Sequence, residues 1–276
     1  MKKKILIIGK NSFIGSHLFF DLKKKFFVNK ISFYKFMHTN KNSIKKYNYI
    51  VNCTSNRGYL KKKYDQNNDF DFKIAEKIYD LDIKFIFLSS RKVYKSQKNI
   101  KENSKIKPLC NYSKNKLVSE KKLSRLLKKK LLILRISNII GIHNKKSNRK
   151  LHNTFVDIFF SNVKKGVLFR NKKIYKDFLS IYKFCEIIRK LIDKNSYGIY
   201  NISVGKPVFL EEITNWLNFY NKKPYRIIDF KSKKSLIKES FYLNNKKLMK
   251  KINVKNRLID LERDCKKISK LFFKKK

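Results

Sequence analysis

Short, unbroken apolar runs, set apart by longer segments of helical periodicity, constrain this chain more than any other feature. The runs are Ile5–Ile8, Ile31–Phe36, Tyr49–Cys53, Phe85–Ser89 and Leu131–Ile136, and the helical segments are Ser16–Lys25, Phe70–Leu81 and Ser113–Lys128. A strand with one wet face alternates apolar and polar residues, whereas a strand of a parallel sheet is covered by helices on both faces and reads as continuous. The order therefore predicts an α/β chain with a Rossmann-type, doubly wound parallel sheet. Beyond Gly141 the pattern loosens, with polar stretches around 143–150 and 221–234, and a smaller C-terminal substrate lobe is expected there.

Charge comes next. The 276 residues carry 70 Lys+Arg against 20 Asp+Glu, a net charge of +50, yet 42% are hydrophobic and 14% aromatic. Such a chain can bury a core and is not a disordered basic tail. Only ten of the basic residues are Arg, and there is a single Ala, at position 75. Abundant Lys, Asn, Ile, Phe and Tyr with scarce Ala, Gly and Pro are what drift toward AT-rich codons produces. A nucleic-acid reader would use Arg for bidentate contacts and gather charge on one face. Here Lys runs from end to end, so no specific nucleic-acid partner is expected, only nonspecific adhesion at low salt.

The four cysteines, at 53, 110, 185 and 265, form no Cys-x-x-Cys pair and are too sparse for a disulfide scaffold, which fits a cytoplasmic protein. The start Met1–Ile8 mimics a signal peptide, but Gly9, Lys10, Asn11 and Ser12 end its apolar run. No apolar run approaches the ~20 residues that span a bilayer, so no stable membrane insertion is expected. The tail Leu271–Lys276 reads as a solvated helix end. His17, His38, His143 and His152 are scattered without ligand spacing, and no metal is expected.

Chemistry begins at Ile5–Ile8, Gly9, Lys10, Asn11, Ser12, Phe13, Ile14 and Gly15, a strand, a turn and a helix start. Gly9 permits the sharp turn, Gly15 lets helix and strand approach, and the helix N-terminus aims free amides at a pyrophosphate. Two of only seven glycines fall at this junction. Ser12 stands where a middle glycine is usual, so its side chain must tilt away from the phosphates or donate to them. An acidic residue at the end of the second strand would select NAD. Ile31-Ser32-Phe33-Tyr34-Lys35 has none, and Lys35, Lys10 and Ser32 accommodate a 2′-phosphate, so NADP(H) is favoured over NAD(H).

Tyr112 and Lys116 lie four apart at the head of a helical segment, hence on one face. A cation beside a phenol makes it a usable acid or base at neutral pH. Spacing alone proves nothing, because composition predicts about three Tyr/Lys pairs four apart. The chain has four: Tyr59/Lys63, Tyr94/Lys98, Tyr112/Lys116 and Tyr242/Lys246. Only Tyr112 opens a long helical pattern that leads into a further apolar strand. The strand before it ends in Ser89-Ser90, and an open α/β sheet binds its ligands at the carboxyl ends of strands.

Taken in order, these segments resemble the extended short-chain dehydrogenase/reductase family, the NAD(P)-dependent epimerases, dehydratases and reductases of nucleotide sugars. Val51-Asn52-Cys53-Thr54-Ser55 is similar to the strand and loop over the cofactor. Ser89-Ser90-Arg91-Lys92-Val93-Tyr94 resembles the family's Ser-Ser/Thr-x-x-Val-Tyr segment. Tyr112 through Lys116, with Glu120, resembles Tyr-x-x-x-Lys with its later Glu. Leu134-Arg135-Ile136-Ser137-Asn138-Ile139-Ile140-Gly141 resembles the strand closing the cofactor site. Lys176-Asp177-Phe178-Leu179-Ser180-Ile181 resembles Arg-Asp-Phe-Ile-x-Val, and Gly198-Ile199-Tyr200-Asn201-Ile202 resembles Gly-x-Tyr-Asn-Ile/Val. Arg135 is equally readable as a tie from the sheet's end to a neighbouring loop.

The resemblance implies an oxidoreductase or epimerase acting on a nucleotide-activated sugar, with residues 1–141 and about 174–197 binding NAD(P) and about 142–173 and 198–276 forming the substrate lobe. It implies Ser90, Tyr112 and Lys116 as catalytic residues. Gly9, Asn11, Ser12, Phe13, Ile14, Gly15, Lys35, Cys53, Thr54 and Ser55 would hold the cofactor, together with Tyr112 and Lys116. Arg91, Asn138, Arg170 and Lys176 would hold the substrate, and a homodimer built on Phe70–Leu81 and Ser113–Lys128 follows from the same likeness. Lys183 replaces a usual Asp, and Arg91-Lys92 stands where the family's dehydratases carry Asp-Glu, which argues against water elimination. A noncatalytic NAD(P)-binding regulator or an RNA-binding protein on the same fold are the alternatives.

Overall fold

A computed structural model describes residues 2–142, 154–229, 240–254 and 257–274. The first half alternates strand and helix: β1 (Lys4–Ile8), α1 (Phe13–Leu22), β2 (Phe27–Ile31), α2 (Phe33–His38), α3 (Lys41–Ile44), β3 (Tyr49–Asn52), α4 (Arg57–Lys61), α5 (Phe70–Ile78), β4 (Lys84–Ser90), α6 (Asn111–Leu127) and β5 (Leu131–Ile136). Then follow β6 (Asn138–Ile140), α7 (Phe155–Lys164), β7 (Val167–Arg170), β8 (Tyr175–Lys176), β9 (Phe178–Ser180), α8 (Ile181–Asp193), β10 (Gly198–Ile202), β11 (Val208–Phe209), α9 (Leu210–Asn218) and β12 (Arg226–Asp229). Helices Lys246–Ile252 and Leu258–Phe273 close the chain.

Six strands form one parallel sheet in the order β10-β5-β4-β3-β1-β2. Successive side chains of a strand point to opposite faces, and here both faces are buried. Ile5 and Ile7 join the core under α1 and α8, whereas Leu6 and Ile8 join the core under α5 and α6. This is the Rossmann-type, doubly wound architecture. The chain leaves β1 toward β2 and then crosses to β3, so the sheet's topological switch lies between β1 and β3, where open α/β sheets form their ligand crevice.

Two expectations are corrected. The second strand is Phe27–Ile31, not Ile31–Phe36, because Ser32 caps a helix, its Oγ accepting the Lys35 amide at 3.2 Å while Phe36 buries on the helix's inner side. Strand 198–202, assigned above to the lobe, is the sixth strand of the sheet, paired with β5. Among the described residues, much of the expected lobe shares the core of the α1/α8 face. Phe160, Leu168, Ile213, Leu217 and Ile268 belong to the same buried cluster as Ile187 and Leu191, and Ser180 donates to Asp264 of the C-terminal helix.

No described helix is long and apolar enough to cross a membrane. Of the polar stretches flagged above, 143–150 and 230–234 lie outside the described residues, as do His143 and His152.

Candidate active site

The turn after β1 has the geometry its glycines demand. Gly9 has φ +103°, a left-handed conformation that side chains resist, and a Cβ on it would meet the Cys53 carbonyl carbon at 3.0 Å. A Cβ on Gly15 would meet Gly9 O at 2.7 Å and Ser12 Oγ at 2.6 Å. Ser12 tilts inward: its Oγ accepts the Gly15 amide at 3.0 Å as the N-cap of α1. That leaves a cradle of small atoms across the sheet's switch point, with Asn11 exposed and Phe13 and Ile14 half-buried at its rim. The donors and the close backbone approach fit a dinucleotide pyrophosphate.

Across the cradle, β3 ends in Asn52, whose Oδ1 accepts the Thr54 amide at 3.1 Å, fixing the loop that carries Cys53, Thr54 and Ser55. Burial pushes the Cys53 thiol up, with Asp71 adding to it, so Cys53 is a neutral packing group. Lys35 lies exposed on α2, one turn beyond the end of β2, rather than on a strand.

His17, also on α1, points Nε2 at the Ile142 carbonyl, 3.1 Å away, and burial lowers its pKa below the ordinary histidine value. The folded protein keeps the ring neutral, so this contribution to stability is complete above about pH 6.5 and is lost as pH falls through the lowered folded value, where the unfolded chain is already protonated. Urea unfolding at about pH 7.5 and about pH 5.5 checks this. Wild type should lose more stability between the two than His17→Gln, and equal losses would contradict it.

Ser90 closes β4 and is buried; its Oγ accepts the Lys92 amide at 3.2 Å at the start of a short 3-10 turn. Helix α6 packs against β4 and against that turn, with Tyr112 half-buried in its first turn and Lys116 buried one turn on. Tyr112 and Lys116 interact electrostatically, the phenol helping to raise the ammonium's pKa against the larger, lowering effect of burial. The bonded partner of Lys116, however, is Asp71 of α5, 3.3 Å from Nζ. Two of the three competing tyrosines are occupied: Tyr59 OH pairs with Ser119 Oγ at 2.7 Å, and Tyr94 OH donates to Asn201 Oδ1 at 2.9 Å.

Arg135 is a tie. Its Nη2 donates to Glu120 Oε2 at 2.6 Å and its Nη1 to the Glu102 carbonyl at 3.1 Å, while Ser89 holds the other Glu120 oxygen. Among the expected substrate residues, Arg91 lays its guanidinium 3.7 Å from the centroid of the buried Phe241 ring, and the Lys176 ammonium is 5.7 Å from the same ring. Asn138 donates to the Asp177 carbonyl at 3.2 Å. Arg170 is a different case, held by Asp229 at 2.7 and 2.9 Å across the β7–β12 pair.

Two buried acids received no role from the sequence. One is Asp71, the partner of Lys116. Asp177 accepts the amides of Val204, Gly205 and Leu243 at 3.0–3.2 Å, fastening the end of β10 and the 240–244 strap to β9. The motif Lys-Asp-Phe marks Asp177, but nothing local marks its three partners. Among the described residues no cluster of three His, Cys, Asp or Glu could hold a metal.

Similar folds span the whole chain. A UDP-N-acetylglucosamine 4-epimerase from Methanobrevibacter ruminantium, in complex with UDP-N-acetylmuramic acid, superposes with a TM-score of 0.79 at 19% identity, covering 100% of each chain. A dTDP-4-dehydrorhamnose reductase from Bacillus anthracis, in complex with NADP, has a TM-score of 0.73 at 14% identity, covering 97% of this chain and 99% of that one. The Bordetella bronchiseptica enzyme WbmH, in complex with NAD+, has a TM-score of 0.75 at 15% identity and covers 100% of both. No curated protein matches the sequence. Residues 5–203, most of the chain, match the model of the NAD dependent epimerase/dehydratase family. On that match the chain is a member of the NAD-dependent epimerase/dehydratase family, the extended short-chain dehydrogenases/reductases.

Proposed function

We propose that this protein is a nicotinamide-dependent oxidoreductase or epimerase of a nucleotide-activated sugar. The observation that carries the reading is that Ser90 closes β4 at the end of the sheet where Gly9 and Gly15 open the cradle, and that α6, whose first two turns carry Tyr112 and Lys116, packs against β4 and against the turn that follows Ser90. The solved relatives with bound NADP, NAD+ and a UDP-sugar support the ligand classes.

A bound nicotinamide would supply the hydride acceptor or donor. Tyr112 exchanges a proton with the reacting sugar oxygen, Lys116 stabilises the phenolate by its charge and reaches toward the ribose, and the Ser90 hydroxyl hydrogen-bonds the same oxygen. Gly9, Asn11, Ser12, Phe13, Ile14 and Gly15 cradle the pyrophosphate, and Cys53, Thr54 and Ser55 wall the opposite side. Ser32 stands at the end of β2 with no carboxylate, and Lys35 follows on the helix it caps, which favours NADP(H) over NAD(H). Arg91, where the family's dehydratases are acidic, favours reduction, oxidation or epimerisation over loss of water.

On the substrate side, Arg91 and Lys176 converge on Phe241, and Asn138 lies at the head of β6. Arg170 would have to exchange Asp229 for a phosphate, which makes it the weakest member of the set. A homodimer through α5 and α6, which pack side by side, and a cytoplasmic location, in keeping with four free thiols, belong to the same proposal.

The test is a panel of nucleotide-linked hexoses, read by reduced-nicotinamide absorbance and by chromatography for epimers, with NADPH fluorescence reporting binding. Conversion of at least one sugar with saturable NADPH binding is expected. NADPH binding with no conversion would replace this reading by a cofactor-binding regulator. RNA binding with sequence preference at physiological salt and no NADPH binding would replace it by the RNA-binding alternative.

A further inference from the structure

Lys116 and Asp71 form an ion pair shut away from water. Their side chains are 8% and 7% exposed, with Nζ 3.3 Å from Oδ2. The other oxygen of Asp71 accepts from Asn52 Nδ2 at 2.8 Å, and the same amide donates to the Thr54 carbonyl at 3.1 Å. The carboxylate is thereby anchored to the loop that walls the cofactor cradle. Around the ammonium stand aromatic rings, Phe87 with its centroid at 4.4 Å and Tyr59 at 5.3 Å. Rings attract a cation but accept no conventional hydrogen bond, and a buried amine without a counter-ion gives up its proton. A neutral amine would neither favour a phenolate nor bind a ribose hydroxyl as an ammonium does.

We infer that Asp71 is a positioning residue: by pairing with Lys116 it keeps the amine protonated and aimed, and Asn52 holds Asp71 in place. The inference rests on reading Tyr112 and Lys116 as the acid–base couple. The charged and titratable groups that face the pair are Asp69 at the start of α5, Tyr59 of α4, Cys53 after β3 and Tyr112 of α6. Asp69 is committed elsewhere, accepting from Ser119 at 2.6 Å and Tyr64 at 3.1 Å. Burial pushes the Asp71 carboxyl up, to about 6, against the pull of Lys116. Around neutral pH and above it the pair is therefore ionised. Removing Asp71 leaves burial, which lowers the Lys116 pKa, as the dominant influence on the amine.

The experiment uses the full chain without ligands and 13Cε-lysine NMR, with the Lys116 signal assigned by its absence in Lys116→Met. In Asp71→Asn the Lys116 proton should come off at least about one pH unit lower than in wild type. In Asp71→Glu it should come off close to the wild-type position. The reverse arm reads Asp71 by 13Cγ in Lys116→Met, where its titration should move upward. Turnover supplies a third readout. Asp71→Asn should lose kcat by about tenfold for each pH unit above the lowered Lys116 titration seen by NMR, with little change in KM, and recover as pH is lowered and Lys116 is reprotonated.

If Lys116 titrates in the same place without Asp71, the assignment is overturned. It is equally overturned by an unmoved Asp71 titration in Lys116→Met, an arm that remains readable should Asp71→Asn fail to fold, and by a kcat loss independent of pH. These NMR arms need neither cofactor nor sugar. Full turnover in Tyr112→Phe would instead sink the acid–base reading and leave the ion pair standing.

Discussion

Tyr112→Phe is expected to lower turnover by about 10²–10⁴-fold, the span contributed by a positioned acid or base, while leaving NADPH affinity nearly unchanged. The substitution deletes one oxygen from a half-buried side chain in the first turn of α6 and keeps the ring. It opens no large cavity, so folding stability should shift by no more than about 0.5 kcal/mol. Tyr59 is the internal control, since its hydroxyl is buried and shared with Ser119. Tyr59→Phe should therefore act on stability and spare the pH dependence of turnover. Single-turnover absorbance with a competent nucleotide sugar, alongside NADPH fluorescence titration, separates chemistry from binding. Wild-type turnover in Tyr112→Phe would exclude the phenol as acid or base and leave only the scaffold.

Much of the scaffold was legible because central parallel strands carry a signal that survives an unusual composition. Ile5–Ile8, Tyr49–Val51, Phe85–Phe87 and Leu131–Leu134 are apolar on both faces, and each lies where its run predicts. The edge strand begins four residues, and ends five residues, before its apolar run predicts. Phe26–Phe36 is one long aromatic stretch in which strand and helix compete, and the decisive mark is Ser32, a helix cap read as a strand interior. Within the site, Gly9 and Gly15 were legible because glycine is rare here and the turn needs it. Asp71 was not: a carboxylate in the first turn of an amphipathic helix reads as a partner for the helix dipole. Only the packing of α5 on α6 brings it to Lys116, 45 residues away. The partner of Arg170 was hidden for the same reason, Asp229 lying 59 residues further on.

The ion pair behind Ser89 carries the second large expectation. Glu120 and Arg135 are 4% and 6% exposed, and Glu120 also accepts from Ser89 at 2.5 Å. Glu120→Ala leaves a buried guanidinium without a carboxylate, facing the Glu102 carbonyl and Tyr94, which offers both its hydroxyl and its ring, the centroid 4.7 Å away. Breaking one side of such a pair costs about 3–5 kcal/mol, and urea unfolding should show a lower midpoint with an unchanged slope. Replacing both partners, Glu120→Leu with Arg135→Met, removes the orphaned charge and should recover most of that loss. The double variant should nevertheless turn over slowly, because Ser89 loses the carboxylate that fixes the end of β4, and Ser90 follows it in the chain. Stability and turnover would then part company in a single protein. A double variant as unstable as Glu120→Ala would contradict the ion-pair account, and one both stable and fully active would remove any role for the pair in placing Ser90.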